Sequence, residues 1–346
     1  MLQTIRDFDV AAKRILIRCD FNVPLDNKGN ILDDFRIKKS LPTIRYLLEN
    51  RAKIILMSHL DDSDIGSNAS IDLIKSRIEK LLGVAIKKSN DCVGPETESE
   101  ALNLKNEEIL LLENLRIHKE EIENNDEFAK KLSALGEIYV NDAFAVCHRV
   151  HASIVGVPKF LPHCAGFLLE KEVDSLNKVL KNPERPLAVL IGGKKVHDKV
   201  KFIKKMLELA DFVIISGLIK NELLKEKHPH ILENVRMFGP ENNLNATDIN
   251  DKTIKLFQKK IMSAKTILWS GPFGKIEDEK YKKGTLAVAN AIIKSGAFSV
   301  VGGGETVEFL NKEGLIDKFS HVSTGGGAML DFLSGEELPG IKALES

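Results

Sequence analysis

The sequence has few cysteines and no net charge, and both features exclude whole classes of protein. Its 346 residues include four cysteines, and no two of them are spaced as Cys-x-x-Cys. We therefore expect no disulfide framework and interpret Cys19, Cys92, Cys147 and Cys164 as reduced thiols. Fifty basic residues balance fifty acidic ones, so the overall charge gives no reason to expect a nucleic acid or a membrane as a partner.

Long apolar segments are also absent. No run approaches the roughly 18 consecutive apolar residues of a membrane-spanning helix, and residues 1–7 carry charges instead of the apolar core of a signal peptide. These absences predict a cytoplasmic protein. The length of the chain predicts two domains of roughly 150 residues each.

The two common nucleotide-binding fingerprints are missing as well. The sequence contains no Gly-x4-Gly-Lys-Ser/Thr motif, and neither of its glycine triplets completes Gly-x-Gly-x-x-Gly. Any nucleotide site in this chain therefore uses a different arrangement of residues.

Short apolar runs alternate with longer amphipathic segments along the whole chain. Continuous apolar runs of this length are typical of parallel strands that are buried on both faces, with crossover helices between them. The pattern predicts an α/β fold with doubly wound parallel sheets, in which ligands bind beyond the carboxyl ends of the strands. The eight clearest runs span residues 14–18, 53–57, 108–112, 137–140, 187–191, 212–215, 266–269 and 298–301.

Two glycine triplets, Gly302–Gly304 and Gly325–Gly327, each stand between an apolar run and a helix-like segment. Backbone N–H groups without a neighbouring Cβ, at the positive end of a helix, are suited to binding phosphate. Lys195 and Lys199 follow another strand and lie four residues apart, so one anion can contact both. The simpler interpretation is that each turn only links a strand to a helix, but the three turns together favour phosphoryl chemistry.

Polar side chains also follow the predicted strands of the first half. Guanidinium groups match the oxygens of carboxylates and phosphates, so three arginines and a histidine at strand ends predict a pocket for a small phosphorylated acid. Taken singly, each arginine is better explained as a surface residue. The residues concerned are Asp20, Asn22, Arg36, His59, Arg116 and Arg149.

Many short stretches, in order along nearly the whole chain, resemble the phosphoglycerate kinase family. So many matches in one order are specific for a family as a whole. The stretches are DFNVPLD, DDFRI, LPTIRYLL, MSHL, DCVGP, LLLENLRIHKEE, NDAFAVCHRVHAS, ILWSGPFG, FSVVGGGET, HVSTGGGA and ELPG.

The resemblance implies two Rossmann-like lobes joined by a hinge helix, and phosphoryl transfer between 1,3-bisphosphoglycerate and ADP upon hinge closure. It implies small-molecule substrates, Mg²⁺ with ATP or ADP, and a monomer. The predicted boundaries are residues 1–165 for the phosphoglycerate-binding N-terminal lobe, 166–182 for the connecting helix, 183–330 for the Mg-nucleotide lobe, and 331–346 for a C-terminal segment returning to the first lobe.

The resemblance also implies residue roles. Arg36, Lys195, Lys199 and Gly326 are expected to surround the transferred phosphoryl group, and Glu305 is expected to ligate the metal. The expected phosphoglycerate-binding residues are Asp20, Phe21, Asn22, Arg36, His59, Leu60, Arg116 and Arg149. The expected nucleotide-binding residues are Lys195, Lys199, Glu277, Gly302, Gly303, Gly304, Glu305 and Thr306.

The chain departs from the family pattern at three functional places. Asp61-Asp62-Ser63 stands where Gly-Arg-Pro is usual, and we interpret this loop as a solvated acidic turn; if it faces the pocket, phosphoglycerate binding should weaken. Ser270 replaces an asparagine, and Glu305 replaces an aspartate. These changes leave two alternatives open: a catalytically impaired member that only binds a nucleotide or a phosphoacid, and a kinase for a different carboxylic acid.

Overall fold

The computed structural model describes residues 2–26, 28–61, 71–193, 199–225, 228–241 and 244–345. The chain forms two compact units. Residues 1–172 together with residues 337–346 form the first unit, and residues 173–336 form the second.

The first unit is built on a six-stranded parallel sheet with the strand order β3–β4–β2–β1–β5–β6. The central strand β1 pairs with β2 on one side and with β5 on the other, so that Ile15 lies opposite both Ile54 and Ile138. Strands that follow β1 in the chain therefore lie on both sides of it in the sheet. Doubly wound folds bind ligands beyond the carboxyl end of such a position, where the strand order reverses. The strands are β1 Arg14–Cys19, β2 Lys53–Met57, β3 Ile86–Lys88, β4 Ile109–Leu111, β5 Ile138–Asp142 and β6 His163–Ala165.

Helices connect these strands, and local sequence signals set their ends. The side chain of Asn125 accepts a hydrogen bond from the backbone N–H of Phe128 and so caps α5. Gly83, with a φ of 74°, ends α2 in the left-handed conformation. The helices are α1 Phe35–Glu49, α2 Asp72–Leu82, α3 Pro95–Leu102, α4 Lys119–Ile122 and α5 Asp126–Ser133. The next helix, α6 Phe167–Lys181, begins in the first unit and ends in the second.

The second unit has its own six-stranded parallel sheet, with the order β12–β11–β10–β7–β8–β9. The strands are β7 Leu187–Ile191, β8 Phe212–Ile215, β9 Met237–Phe238, β10 Thr266–Ser270, β11 Phe298–Gly302 and β12 His321–Val322. The helices are α7 Val200–Leu209, α8 Gly217–Lys225, α9 Pro229–Leu232, α10 Asp251–Ile261, α11 Lys283–Ser295, α12 Gly304–Lys312 and α13 Gly326–Leu333, and α14 Pro339–Lys342 follows in the first unit.

The predicted fold class is confirmed, because both units are parallel α/β sheets that contain all eight predicted strands. The sequence pattern missed β3, β6, β9 and β12. These are the four edge strands, and each has only two or three residues. The three-residue strand β4 was recognised because Leu112 extends its apolar run, whereas the four edge strands have no such extended run.

Two further features concern the state of the cysteines and the length of the helices. The four cysteines are free thiols and are buried. Within the described ranges, no helix combines the length and the apolar character needed to cross a bilayer.

Candidate functional site

In the first unit, polar side chains meet at the carboxyl edge of the sheet. Asp20 follows β1, His59 follows β2, Asn114 follows β4, and Asp142 ends β5. These four strands are neighbours in the sheet. Two predicted substrate residues, Asp20 and His59, therefore follow adjacent strands, and Asn114 and Asp142 extend the same edge of the sheet.

Arg36 lies in the first turn of α1 and is held by the loop after β1. Its Nη1 donates to the carbonyl oxygen of Asn22 at 2.9 Å and lies 3.2 Å from Oδ2 of Asp20. The backbone N–H of Asn22 donates to the other oxygen of Asp20. Both contacts of Arg36 use one nitrogen of its five-donor guanidinium. The remaining donors are thus available to an anion.

His59 is buried and lies against Arg18, a residue that was not predicted to belong to the site. Nη2 of Arg18 is 3.2 Å from Nδ1 of His59. Burial, followed by the positive charges of Arg18 and Arg116, holds the pKa of His59 well below its usual range. The imidazole is therefore neutral, and because arginine only donates, its proton is assigned to Nε2. His59 can donate this proton in a hydrogen bond but carries no charge.

Arg18 is fully buried and depends on a polar network behind the strand ends. Its Nε donates to Oγ of Ser153 at 2.8 Å. Ser153 in turn donates through Oγ, at 2.6 Å, and through its backbone N–H, at 2.8 Å, to the buried carboxylate of Glu121. A buried guanidinium is thus connected to a buried carboxylate through one hydroxyl group, which offsets the cost of burying the charge.

Asp61 is exposed, as a solvated turn requires, but it also contacts predicted substrate residues, which the sequence did not suggest. Its carboxylate forms an ion pair with the guanidinium of Arg116, and its Oδ2 lies 3.9 Å from Nε2 of His59. Its backbone N–H donates to Oδ1 of Asn22 at 3.1 Å. The Asp61 side chain therefore lies among the predicted substrate residues. Asp62 and Ser63 lie outside the described residues.

The other predicted residues of this unit divide into buried and exposed ones. Phe21 donates its backbone N–H to Oγ of Ser58, and Leu60 exchanges two hydrogen bonds with the side chain of Asn114, so both shape the backbone of the loops. Arg149 is exposed. Burial is the largest cause that lowers the pKa of Arg116, and the positive charge of Arg18 is the next. The positive charge of Arg149 acts in the same direction.

The second unit contains a cavity of about 190 Å³ beyond the carboxyl ends of β7, β8 and β10. Two predicted nucleotide residues, Glu277 and Glu305, line it. Its walls are Gly193, Ser216, Gly217, Leu218, Pro240, Asn245, Ala246, Thr247, Asp248, Ile249, Asn250, Thr253, Pro272, Phe273, Gly274, Lys275, Glu277 and Glu305.

The two glycine turns lie side by side at the start of α12 and α13. Gly303 has a φ of 97°, a conformation that favours glycine. A Cβ added to Gly326 would lie 3.5 Å from Cα of Gly303. The buried Thr306 accepts the backbone N–H of Gly271 at 3.1 Å, so its side chain ties the loop after β10 to α12.

The predicted lysines are only partly described. Nζ of Lys199 donates to the carbonyl oxygen of Gly192 at 2.6 Å, next to the cavity wall at Gly193. Lys195 lies outside the described residues. The Lys199 ammonium is therefore placed beside the turn after β7.

Glu305 suits the predicted metal. It is exposed in the first turn of α12 and lines the cavity. Mg²⁺ accepts only oxygen ligands and is commonly held by one or two carboxylates together with substrate phosphates. The carboxylate of Glu305 at the edge of this cavity could therefore serve as one such ligand.

Comparisons with known proteins agree on one family. The phosphoglycerate kinase family model matches residues 5–237 and 232–336. The phosphoglycerate kinase of Dictyoglomus turgidum is 40% identical, with 99% of this chain and 98% of the relative covered. That of Borreliella burgdorferi is also 40% identical, over 100% of both chains.

The chain belongs to the phosphoglycerate kinase family.

Solved structures of the phosphoglycerate kinase family share the fold. The enzyme of Pyrococcus horikoshii matches with a TM-score of 0.90 and 32% identity, covering 100% of this chain and 98% of the other. The enzyme of Coxiella burnetii matches with a TM-score of 0.85 and 33% identity, covering 100% and 99%. The predicted family, enzyme class and phosphoryl-transfer activity are thereby confirmed, and these matches favour neither alternative raised by the sequence.

Three residues of this phosphoglycerate kinase family site escaped the sequence analysis: Arg18, Glu121 and Ser153. A signal existed for Arg18, since it is a charged residue directly after the apolar middle of a run (residues 14–18) that was predicted to be a buried strand. Its partner Ser153 is 135 residues away in the sequence. The hydrogen bonds that connect Arg18, Ser153 and Glu121 could therefore be identified only from the structure.

Proposed function

We propose that the chain transfers a phosphoryl group directly between 1,3-bisphosphoglycerate, bound by the first unit, and ADP, bound by the second. The single observation that supports this most strongly is the group of Arg36, Arg116 and neutral His59 at one sheet edge. Phosphoryl transfer depends mainly on positioning and on neutralising negative charge. A group of this kind supplies both.

In the first unit, the arginines Arg36, Arg116 and Arg149 would bind the carboxyl and phosphate oxygens of the substrate. Asp20 orients Arg36, and His59 donates from Nε2. The accepting oxygen belongs to a carboxylate or a diphosphate, which carries no proton at neutral pH, so the reaction needs no general base. A neutral histidine that only donates is consistent with that chemistry.

In the second unit, the nucleotide would occupy the cavity, with Glu277 at its ribose. Gly302, Gly303 and Gly304 would present backbone N–H groups to the phosphates, with Gly326 near the transferred group. Lys199, together with Lys195, would neutralise phosphate charge. Mg²⁺ held by Glu305 supplies further neutralisation of the phosphate oxygens when bound.

The surroundings of the reaction are part of the proposal. We expect a cytoplasmic monomer that acts on small molecules, with neither a nucleic acid nor a membrane as a partner. The equal numbers of acidic and basic residues support the last point. Sedimentation of the purified protein tests the monomer.

The decisive experiment is a coupled assay of ATP formation from 1,3-bisphosphoglycerate, ADP and Mg²⁺. We expect turnover, and we expect Arg36→Ala to lower kcat at least about 100-fold, the effect typical of removing a group that stabilises transition-state charge. Arg45→Ala is the matched control, because Arg45 is an exposed arginine on the same helix. It should retain full activity.

Two results would support the alternatives instead. Correctly folded protein that binds a nucleotide or a phosphoacid in calorimetry without turnover would be a binding protein. Turnover with another carboxylic acid, and none with phosphoglycerate, would identify a kinase of different specificity.

A further inference from the structure

Three side chains with metal-ligating atoms meet in the first unit, away from the groups discussed so far. They are Asp91 and Cys92, which follow β3, and His118, which precedes α4. One carboxylate oxygen, the Sγ atom and one imidazole nitrogen all lie within 4.8 Å of one another. In the described part of the chain, no other three histidines, cysteines or acids converge in this way.

The geometry places sulfur inside and the other two ligands outside. Cys92 is fully buried, whereas the side chains of His118 and Asp91 are 23% and 47% exposed. Nε2 of His118 lies 2.5 Å from Oδ1 of Asp91. The thiol of Cys92 donates to the carbonyl oxygen of Glu113 at 3.0 Å. An ion arriving from solvent would meet the imidazole and the carboxylate first and the sulfur behind them.

Packing holds these ligands in place without a metal. The ring of Phe128 lies 5.0 Å from the ring of His118, and the backbone N–H of His118 donates to the carbonyl oxygen of Leu115. The backbone N–H of Cys92 donates to Oδ1 of Asp91 at 2.5 Å. Ligands that are already positioned cost less ordering entropy when an ion binds.

We propose that Asp91, Cys92 and His118 form a binding site for a thiophilic divalent metal ion of the Zn²⁺ type, with water as the fourth ligand. Three protein ligands and one water are a common zinc coordination, and a mixed sulfur, nitrogen and oxygen set favours Zn²⁺ over Mg²⁺. The site is therefore distinct in chemistry from the single carboxylate that Glu305 offers.

Binding exchanges one proton for one metal–sulfur bond. The Cys92 S–H bond breaks, its proton goes to solvent, and the thiolate electron pair forms the bond to the metal. Nε2 of His118 gives up the proton that it donates to Oδ1 of Asp91, and Nδ1 takes one up from solvent, so the Nε2 lone pair binds the metal without changing the number of protons on the ring. The carboxylate of Asp91 binds as an anion. No oxidant or reductant is involved.

The site would link two loops of the first unit. Glu113, whose carbonyl oxygen contacts the Cys92 thiol, and His118 bracket the segment that carries Arg116. A metal bound to Asp91, Cys92 and His118 would fasten this segment to the loop after β3. Because the ion binds only the folded site, it should raise the unfolding temperature of the protein.

Titration of the full-length protein with Co²⁺, a spectroscopic substitute for Zn²⁺, tests the proposal. We expect one equivalent to bind, with a sulfur-to-cobalt charge-transfer band in the near ultraviolet and tetrahedral visible bands, and we expect Zn²⁺ to displace it. Cys92→Ser should abolish the charge-transfer band. His118→Asn should weaken Co²⁺ binding at least about tenfold.

Two variants serve as matched controls. Cys164→Ser alters another buried thiol, and His163→Gln alters another partly buried histidine of the same unit. Both should keep the band and the affinity. If Cys92→Ser does not fold, the decision rests on His118→Asn, whose side chain is partly exposed. Absence of the band in the unaltered protein, or undiminished binding by His118→Asn, overturns the proposal.

Discussion

The carboxylate of Asp61 forms an ion pair with the guanidinium of Arg116. The same carboxylate lies 3.9 Å from Nε2 of His59, and its backbone is bonded to the side chain of Asn22. Two groups that we propose bind phosphoglycerate, Arg116 and His59, thus already lie beside one acid of the protein. We therefore expect Asp61 to compete with the substrate anion for these two groups.

Replacing Asp61 by asparagine should lower the KM for 3-phosphoglycerate. The side chain is 39% exposed, and ion pairs at this exposure are worth ~0.5–1 kcal/mol, so we expect a decrease of about two- to fivefold with little change in kcat. Asp126→Asn, which removes an exposed partner of Lys159 in the same unit, is the control. An unchanged or higher KM for Asp61→Asn would mean that the ion pair does not compete with substrate.

The hydrogen-bonded network of Arg18, Ser153 and Glu121 should matter both for the stability of the protein and for binding of 3-phosphoglycerate. In Glu121→Gln, the amide replaces an acceptor of two hydrogen bonds from Ser153, and the buried charge that balances Arg18 is lost. We expect a loss of roughly 1–3 kcal/mol in the free energy of unfolding and a higher KM for 3-phosphoglycerate. Urea unfolding and steady-state kinetics measure the two effects.

Glu120→Gln is the matched control for this network, because it changes the neighbouring residue, which is less buried. It should behave as the unaltered protein. If Glu121→Gln were as stable and as active as Glu120→Gln, the carboxylate would have no part in holding Arg18.

Asp142 should make stability depend on pH. It is fully buried at the end of β5 and accepts the backbone N–H of Leu168 at 2.9 Å. Burial raises the pKa of Asp142 to about 7, although hydrogen bonds lower it in part. The folded state therefore binds this proton more tightly than the unfolded state, so the contribution to stability is present at low pH and is lost as the pH rises toward 7.

Asp142→Asn removes that dependence. Between pH values of about 5.5 and 8, the free energy of unfolding of the unaltered protein should fall by roughly 2 kcal/mol relative to the variant, since each pKa unit corresponds to ~1.4 kcal/mol. Urea unfolding of both proteins at the two pH values provides the comparison. Parallel pH profiles would show that Asp142 is already ionised in the folded protein at the lower pH.

Lys199 should contribute to the reaction through its charge. Lys199→Ala removes an ammonium group that lies beside the Gly192–Gly193 turn, and we expect kcat to fall by about 100-fold or more while far-ultraviolet circular dichroism stays unchanged. Lys201→Ala is the control, because Lys201 is an exposed lysine of α7 paired with Glu336. Equal activities of the two variants would exclude Lys199 from the transfer step.

The sequence predicted the centre of each sheet and the family, but not the contacts behind the site. Central strands such as β1 and β10 have an apolar middle, residues 15–17 and 267–269, and burial on both faces favours that pattern. The family motifs identified Arg36 and His59. Asp61 was interpreted as a solvated turn because an acid in a loop is normally exposed, and only the fold brings Arg116 next to it.

The edge strands have a consequence for behaviour at high concentration. Each of β3, β6, β9 and β12 has two or three residues, so the rim of each sheet, as far as the chain is described, presents very few unpaired main-chain groups. Long open rims are templates on which neighbouring molecules add strands and aggregate. Short rims offer few such groups for pairing, so we expect little strand-mediated association of this protein even at high concentration.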